Sequence, residues 1–197
     1  MSTILEALQP VNGRSQIFRM SVEFYHELGR LGMLGEKEWE LLDGLVIERM
    51  PKSPLHEYIA NMLVQLLAAI LPQGQFVSKE SSFSAARSEP IPDVMVLSGL
   101  PADYAFHHPT TALWVAEVCL TSERMDRAKA AIYAAAGVRE FWLVQPEEGW
   151  IEINTQPVDQ AYTQVLRFAA HETAPSQSIT GFSLRLADIL PTSSSPA

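Results

Sequence analysis

Two apolar runs separated by a helical pattern constrain the fold of this chain more than any other feature. The runs are residues 113–120 (L-W-V-A-E-V-C-L) and 140–144 (E-F-W-L-V). Long apolar runs of this kind are typical of strands that are covered on both faces. Between them, Thr121 or Ser122 is predicted to cap a helix that ends at Gly137. A strand, a helix of this length and a second strand predict two parallel neighbours in one sheet.

Shorter signals complete the predicted architecture. Asp43-Gly44 lies between the apolar runs Trp39–Leu42 and Leu45–Glu48, which strongly predicts a β-hairpin. Further elements follow from apolar periodicity: helices from Ser21 toward Gly32, at 56–71 and at 184–190, and strands at 75–80, 93–97, 150–154 and 162–168. We therefore expect an α/β fold with a mixed central sheet, flanking helices and antiparallel hairpins at the ends.

Length and composition indicate one globular domain. The 197 residues, 47% of them hydrophobic, predict a single domain over residues 1–191, with residues 1–18 as an extended lead-in and residues 192–197 as a disordered tail. The single Cys119 excludes an intrachain disulfide and favours a reducing, cytoplasmic location. The longest apolar stretch, residues 59–71, is too short to span a bilayer, so no membrane association is expected.

The net charge of the chain argues against one class of nucleic-acid-binding protein. The net charge is −9, which counts against a protein that coats nucleic acid by electrostatics alone, because such proteins are usually basic. The same balance counts less against an enzyme whose acids surround a metal ion, since the ion reverses the local field.

Two acids associated with strands are the main candidate site residues. Asp93 opens one predicted strand and Glu117 interrupts the run 113–120. Buried carboxylates are costly unless they share a partner, and a divalent cation would suit both. Two alternatives are that Asp93 points to solvent and that Glu117 forms a buried ion pair with a lysine or arginine.

Several sequence blocks resemble a known nuclease family. These are W-E-L-L-D-G, P-K-S-P-L-H, I-P-D-V-M-V-L and the long run from E-V-C-L-T-S-E-R-M-D-R-A-K to F-W-L-V-Q-P, which occur in that order between Trp39 and Ile153. Together they resemble the Uma-two family of restriction endonuclease homologues within the PD-(D/E)XK nuclease superfamily. The resemblance implies a restriction-endonuclease-like core and magnesium-dependent or manganese-dependent hydrolysis of phosphodiester bonds, with DNA as the expected substrate.

The resemblance also implies roles for individual residues. Asp93, Glu117 and the carbonyl of Val118 would be metal ligands. Cys119 stands where the superfamily has its lysine, and in this family a lysine on the following helix, here Lys129, takes that place. Glu40 matches a further acid of the family. The alternatives are a solvated Lys129 paired with Asp126 or Glu123, and a half-exposed Glu40 in the hairpin.

Three other features carry weaker signals. His56 matches a histidine of the family, although a histidine near a helix start is more often structural. In the helix that contains Lys129, Met125, Ala128, Ile132 and Ala135 are predicted to be buried, with Asp126, Lys129 and Tyr133 on an adjacent stripe. His107-His108 lies in a predicted loop without a partner at metal-ligand spacing, so we interpret the pair as surface residues.

The sequence therefore predicts a metal-dependent DNA endonuclease. One alternative is a catalytically inactive nuclease-fold protein that serves as a binding or assembly module. Another is an ion-pair network that holds no metal. A homodimer would supply the two sites needed to cut both strands of a duplex, but no sequence feature requires one.

Overall fold

A computed structural model describes residues 17–120 and 123–191 of the chain. Most of the expected lead-in (residues 1–16), the predicted helix caps Thr121 and Ser122, and the expected disordered tail at residues 192–197 lie outside the described residues.

A six-stranded mixed sheet forms the centre of the structure, in the order β3-β4-β5-β6-β7-β8. Its strands are β3 (Gln75–Lys79), β4 (Val94–Ser98), β5 (Trp114–Val118), β6 (Glu140–Gln145), β7 (Trp150–Val158) and β8 (Ala161–Ala169). β5 and β6 are parallel, as the crossover prediction requires. The other neighbouring pairs are antiparallel. The mixed α/β architecture predicted from the sequence is confirmed.

Within the described residues, three α-helices and the predicted hairpin surround the sheet. The helices are α1 (Val22–Arg30), α2 (Pro54–Ala68) and α3 (Glu123–Ala135), and the hairpin consists of β1 (Trp39–Leu42) and β2 (Leu45–Glu48). Ser21 and Ser53 cap α1 and α2 by accepting backbone N–H groups through their hydroxyls, at 3.2 Å each. In the hairpin turn, Asp43 and Gly44 both have positive φ, 48° and 78°, which explains the Asp-Gly sequence.

The two faces of the sheet bury different hydrophobic clusters. On the α2 face, Ile59 and Leu63 belong to a cluster that includes Trp114 and Trp142. On the other face, Tyr133 of α3 belongs to a cluster with ten further buried residues. Alternate residues of β4 and β5 therefore enter opposite cores, as expected for strands that are covered on both sides.

The predicted buried face of α3 is wrong. Ala135 is exposed and Met125 is only half-buried, whereas Asp126, Lys129 and Tyr133 are buried. The polar stripe faces inward because its partners, Glu117 among them, lie on the adjacent sheet. A periodicity argument that assigns the apolar stripe to the core cannot anticipate a buried ionic cluster.

The predicted helix at residues 184–190 is also wrong in part. Ser183–Arg185 forms a short strand, β10, which pairs with β9 (Thr173–Pro175), and only Leu186–Asp188 forms a turn of 3₁₀ helix. Leu184 and Leu186 are buried at the spacing of two that strands produce.

None of the helices in the described part of the chain has the length and apolar character that a membrane-spanning helix requires.

Candidate active site

Asp93 lies immediately before β4 and is tied to the neighbouring strand. Its Oδ2 accepts a hydrogen bond of 2.8 Å from the backbone N–H of Val118, at the end of β5. The residue is only 4% exposed, so the alternative in which Asp93 points to solvent is wrong. The antiparallel pairing of β4 with β5, in which Val94 is opposite Ala116, brings Asp93 to this position.

The Asp93 carboxylate is also held by two side chains from the segment around the start of α2. His56 Nε2 lies 2.9 Å from Oδ2, and Lys52 Nζ donates to Oδ1 over 3.0 Å. Burial by itself would raise the pKa of Asp93. The hydrogen bond and charge of His56, the charge of Lys52 and the Val118 N–H outweigh burial and lower that pKa. Asp93 is therefore an ionised carboxylate at neutral pH.

Glu117 is the penultimate residue of β5 and is 2% exposed. Its Oε1 accepts hydrogen bonds from Tyr133 Oη over 2.6 Å and from Lys129 Nζ over 3.2 Å. Burial raises the pKa of Glu117, and the nearby charges of Asp93 and Glu40 raise it further, while Lys129 opposes the shift. The pKa remains raised because burial, together with the surrounding carboxylates, outweighs the charge of Lys129.

Lys129 is a buried cation rather than a surface lysine, since it is only 4% exposed. Its Nζ lies 3.0 Å from Glu40 Oε1, 3.2 Å from Glu117 Oε1 and 3.7 Å from Asp126 Oδ1. Burial would lower the pKa of Lys129, but the charges of these three acids outweigh burial and raise it. Lys129 therefore stays protonated in the site.

Glu40 reaches the site from β1, so the alternative of a half-exposed hairpin residue is wrong. It is 3% exposed, and its Oε1 accepts a hydrogen bond of 2.7 Å from the backbone N–H of Ile91 in addition to the contact with Lys129. Arg49 Nε lies 3.8 Å from the same oxygen. These contacts connect the hairpin to the segment that leads into β4.

Val118 and Cys119 occupy the two remaining motif positions. The N–H and C=O of one strand residue point to the same side, so the Val118 carbonyl faces the side on which Asp93 accepts the Val118 N–H. Cys119 Sγ instead contacts the Val144 carbonyl at 3.5 Å inside the core. Burial raises the pKa of the Cys119 thiol. The strand position at which the sequence resemblance led us to look for a lysine thus carries a neutral thiol, and Lys129 is the cation beside Glu117.

The structure thus brings together every predicted site residue: Asp93, Glu117, Val118, Lys129 and Glu40. Sequence reasoning missed Lys52 and Arg49, although Lys52 belongs to the P-K-S-P-L-H block. It also placed Tyr133 on the polar stripe without a role, whereas its hydroxyl contacts Glu117. Gln145, at the end of β6, accepts backbone hydrogen bonds of the turn that follows the strand.

Comparisons with known proteins concern the family and the fold of the chain. The model of the family Uma2, described as "Putative restriction endonuclease", matches residues 22–187. Among solved structures, the chain is similar to a protein from Anabaena variabilis described as a "putative nuclease belonging to DUF820". The identity is 16%, the TM-score is 0.74, and the match covers 87% of this chain and 97% of the other, so the likeness shows a shared fold. No curated protein matches this chain.

Proposed function

This chain belongs to the Uma2 family, described as "Putative restriction endonuclease", and on that premise we propose that it is a metal-dependent endonuclease that hydrolyses phosphodiester bonds of DNA. The observation that carries the proposal is the position of Lys129. Its Nζ lies 3.2 Å from Glu117 Oε1, beside a strand whose own motif position holds Cys119 instead of lysine. A helix residue thereby supplies the cation that the strand lacks.

The donor atoms of the site fit a hard divalent cation. The carboxylates of Asp93 and Glu117 and the carbonyl of Val118 offer oxygen ligands of the kind that Mg²⁺ and Mn²⁺ prefer. Lys129 contacts three acids and cannot neutralise all of them. We propose that Asp93, Glu117 and Val118 hold one Mg²⁺ or Mn²⁺ ion. Such an ion supplies Lewis acidity, which polarises a phosphoryl oxygen and acidifies water.

The protein's own residues would perform the remaining tasks. Lys129, fixed between Glu40 and Glu117, would offset the negative charge that develops on the phosphorus in the transition state. His56 and the Val118 N–H would hold the Asp93 carboxylate in one orientation. Because Glu40 also binds the Ile91 N–H, it would fix the position of Lys129 rather than contact the substrate.

Lys52 would meet the DNA backbone at the edge of the site. It retains 15% side-chain exposure and contacts both Asp93 and Glu80, at 3.0 and 3.1 Å. A phosphate that enters the site would compete with these carboxylates for the ammonium group. Since the whole chain is acidic, cations beside the site would have to supply the local attraction to DNA.

One observation favours the second candidate function, an inactive nuclease-fold binding module. Asp93 is already paired with Lys52 and His56, and Glu117 is paired with Lys129 and Tyr133. A site that is balanced in this way could hold its structure without a metal ion. The experiment below separates the two functions.

The test is plasmid cleavage with Mg²⁺ or Mn²⁺, together with Mn²⁺ titration by calorimetry. We expect cleavage by the parent and its loss in Glu117→Gln and Asp93→Asn. Glu152→Gln is the matched control, because Glu152 is equally buried but pairs with Arg127 and Arg167 outside the site. Circular dichroism should show native structure for Glu152→Gln, and this variant should still cleave the plasmid.

Three other results would decide against the proposed site or in favour of one of the alternatives. Equal cleavage by the parent and by Glu117→Gln would overturn the assignment of the site. Mn²⁺ binding that disappears in an Asp93→Ala/Glu117→Ala protein, without cleavage of any nucleic acid by the parent, would establish the inactive module. No Mn²⁺ binding by the parent would establish an ion-pair network.

A further inference from the structure

A second group of potential metal ligands lies outside the candidate active site. His26 of α1, Glu89 and His108 offer three ligand atoms that all lie within 4.8 Å of one another; we call these residues the histidine–glutamate cluster. His26 Nε2 is 2.6 Å from Glu89 Oε2, and His108 Nε2 is 4.0 Å from Glu89 Oε1. The two oxygens of one carboxylate therefore each face a different imidazole.

The burial of Glu89 makes this arrangement more than a surface contact. Glu89 is 4% exposed, and among residues 17–120 and 123–191 it forms ion pairs with no lysine or arginine, only with the two histidines. A buried carboxylate without a lysine or arginine partner is costly. A cation held between the three side chains would supply that charge.

Hydrogen bonds hold the three chain segments that carry these residues in place. Glu89 exchanges both backbone hydrogen bonds with Leu41, at 2.6 and 3.3 Å. The loop that carries His108 is anchored by the Ser84 N–H, which donates to the Pro109 carbonyl over 2.8 Å. On α1, the Tyr25 hydroxyl donates to the Trp39 carbonyl over 2.9 Å. The ligand atoms are therefore brought together by the fold and not by chance contact of mobile ends.

We propose that His26, Glu89 and His108 bind a first-row transition-metal ion of the Zn²⁺ class. Ions of this class bind a site of two imidazoles and one carboxylate more readily than Mg²⁺ does. Tetrahedral bonds of about 2.0–2.2 Å separate ligand atoms by roughly 3.4 Å, and the observed separations of 2.6 and 4.0 Å lie on either side of that value. The histidine side chains are 48% and 47% exposed, so both can adjust.

Metal binding would join three parts of the chain that are distant in sequence. The ion would tie α1 to the segment before β4 and to the loop before β5. Its remaining coordination positions would face water, since both imidazoles are half-exposed. Glu89 lies two residues before Ile91, whose N–H binds Glu40, but the cluster shares no residue with the candidate active site. A ligand that binds only the folded chain stabilises it.

The test is Zn²⁺ titration by calorimetry and Co²⁺ titration by visible absorption on the full chain, treated first with a chelator. An Asp93→Ala/Glu117→Ala background removes the candidate active site as a competing metal site. His108→Ala and His107→Ala form a matched pair, because His107 is the exposed neighbour that contacts the Tyr104 ring. We expect one Zn²⁺ per chain in the background protein and in His107→Ala, with a rise in melting temperature.

The expected loss in His108→Ala is at least about 100-fold in Zn²⁺ affinity, since a lost ligand should cost no less than a lost outer-shell partner. Glu89→Gln should show the same loss. Without metal, His108→Ala should have the same melting temperature as the background protein, because the His108 side chain is half-exposed. Equal Zn²⁺ affinity in His107→Ala and His108→Ala, or no Zn²⁺ binding by the background protein, would overturn the proposal. Failure of the protein to cleave DNA would not affect this proposal, because the histidine–glutamate cluster shares no residue with the candidate active site.

Discussion

Lys129 Nζ lies 3.2 Å from Glu117 Oε1 in a site where both side chains are almost completely buried. The contact joins α3 to the central strand of the sheet. Because Lys129 also contacts Glu40 and Asp126, one ammonium group balances acids from three different elements. Removing this cation should affect the fold as well as any chemistry of the site.

Lys129→Met should destabilise the chain by about 3–5 kcal/mol, because it leaves buried carboxylates without their cation. Urea unfolding measures the change. Lys79→Met is the control, since Lys79 is 30% exposed in the side chain and, in the described part of the chain, forms an ion pair only with Glu80. Adding Glu117→Gln to Lys129→Met should cost less than the sum of the single changes. A loss below about 1 kcal/mol in Lys129→Met would show that the ammonium group is not desolvated.

Tyr133→Phe should destabilise the chain by about 1–3 kcal/mol, because it leaves the buried Glu117 Oε1 without one of its two hydrogen-bond donors. The ring keeps its edge-on contact with Phe83. Tyr162→Phe is the matched control, because that hydroxyl donates to the neutral Val138 carbonyl over a similar distance, 2.9 Å. It should cost about 0.5–1.5 kcal/mol. Equal losses would contradict a fully buried hydrogen bond between Tyr133 and Glu117.

Gly44→Ala should lower stability more than Gly181→Ala does. Both glycines have φ of +78°, so the backbone strain of an alanine is matched at about 1–2 kcal/mol. Only at Gly44 would the new methyl group meet atoms, Arg19 Cβ at 2.7 Å and the Met20 carbonyl oxygen at 2.9 Å. Thermal unfolding of the two variants compares them. Equal melting temperatures would mean that the segment around Arg19 does not pack on the hairpin turn.

Cys119 should be inert toward a thiol reagent such as Ellman's reagent in the native protein. The side chain is fully buried, and burial raises the pKa of its thiol, so little reactive thiolate forms. Cys119 is the chain's only cysteine, which makes the signal unambiguous. The thiol should react completely in urea. Native labelling as fast as that of the unfolded chain would show that the strand carrying Glu117 opens readily.

Glu152 should contribute a pH-dependent share of stability. Burial opposes ionisation, but hydrogen bonds with Arg127 and Arg167 outweigh it and lower the pKa of Glu152 below its ordinary 4.5. A lowered folded-state pKa stabilises the protein above the unfolded-state pKa, and this stability is lost as the pH falls through the folded value. The stability difference between the parent and Glu152→Gln should therefore be complete near pH 6 and disappear in acid. A difference that persists unchanged below pH 3 would contradict this origin.

Much of the fold was predictable because its signals are local. The Asp43-Gly44 turn, the helix start at Ser21 and the two apolar runs around α3 each depend on a few adjacent residues, and the structure confirms all three. Glu117 could be selected as a site residue for the same reason, since an acid inside an apolar strand is visible in the sequence. The α/β class and the parallel pair follow from the order of these signals alone.

Only the tertiary structure decided which charges meet. Lys129 looked like one position on a polar stripe, and its burial depends on Glu40 from the hairpin and Glu117 from β5. The proximity of His108 to Glu89 and His26 likewise depends on loop placement. The sequence determines local conformation because hydrogen bonds and side-chain sterics act between near neighbours. Burial of a charge depends on partners that are distant along the chain, which become neighbours only when the chain folds.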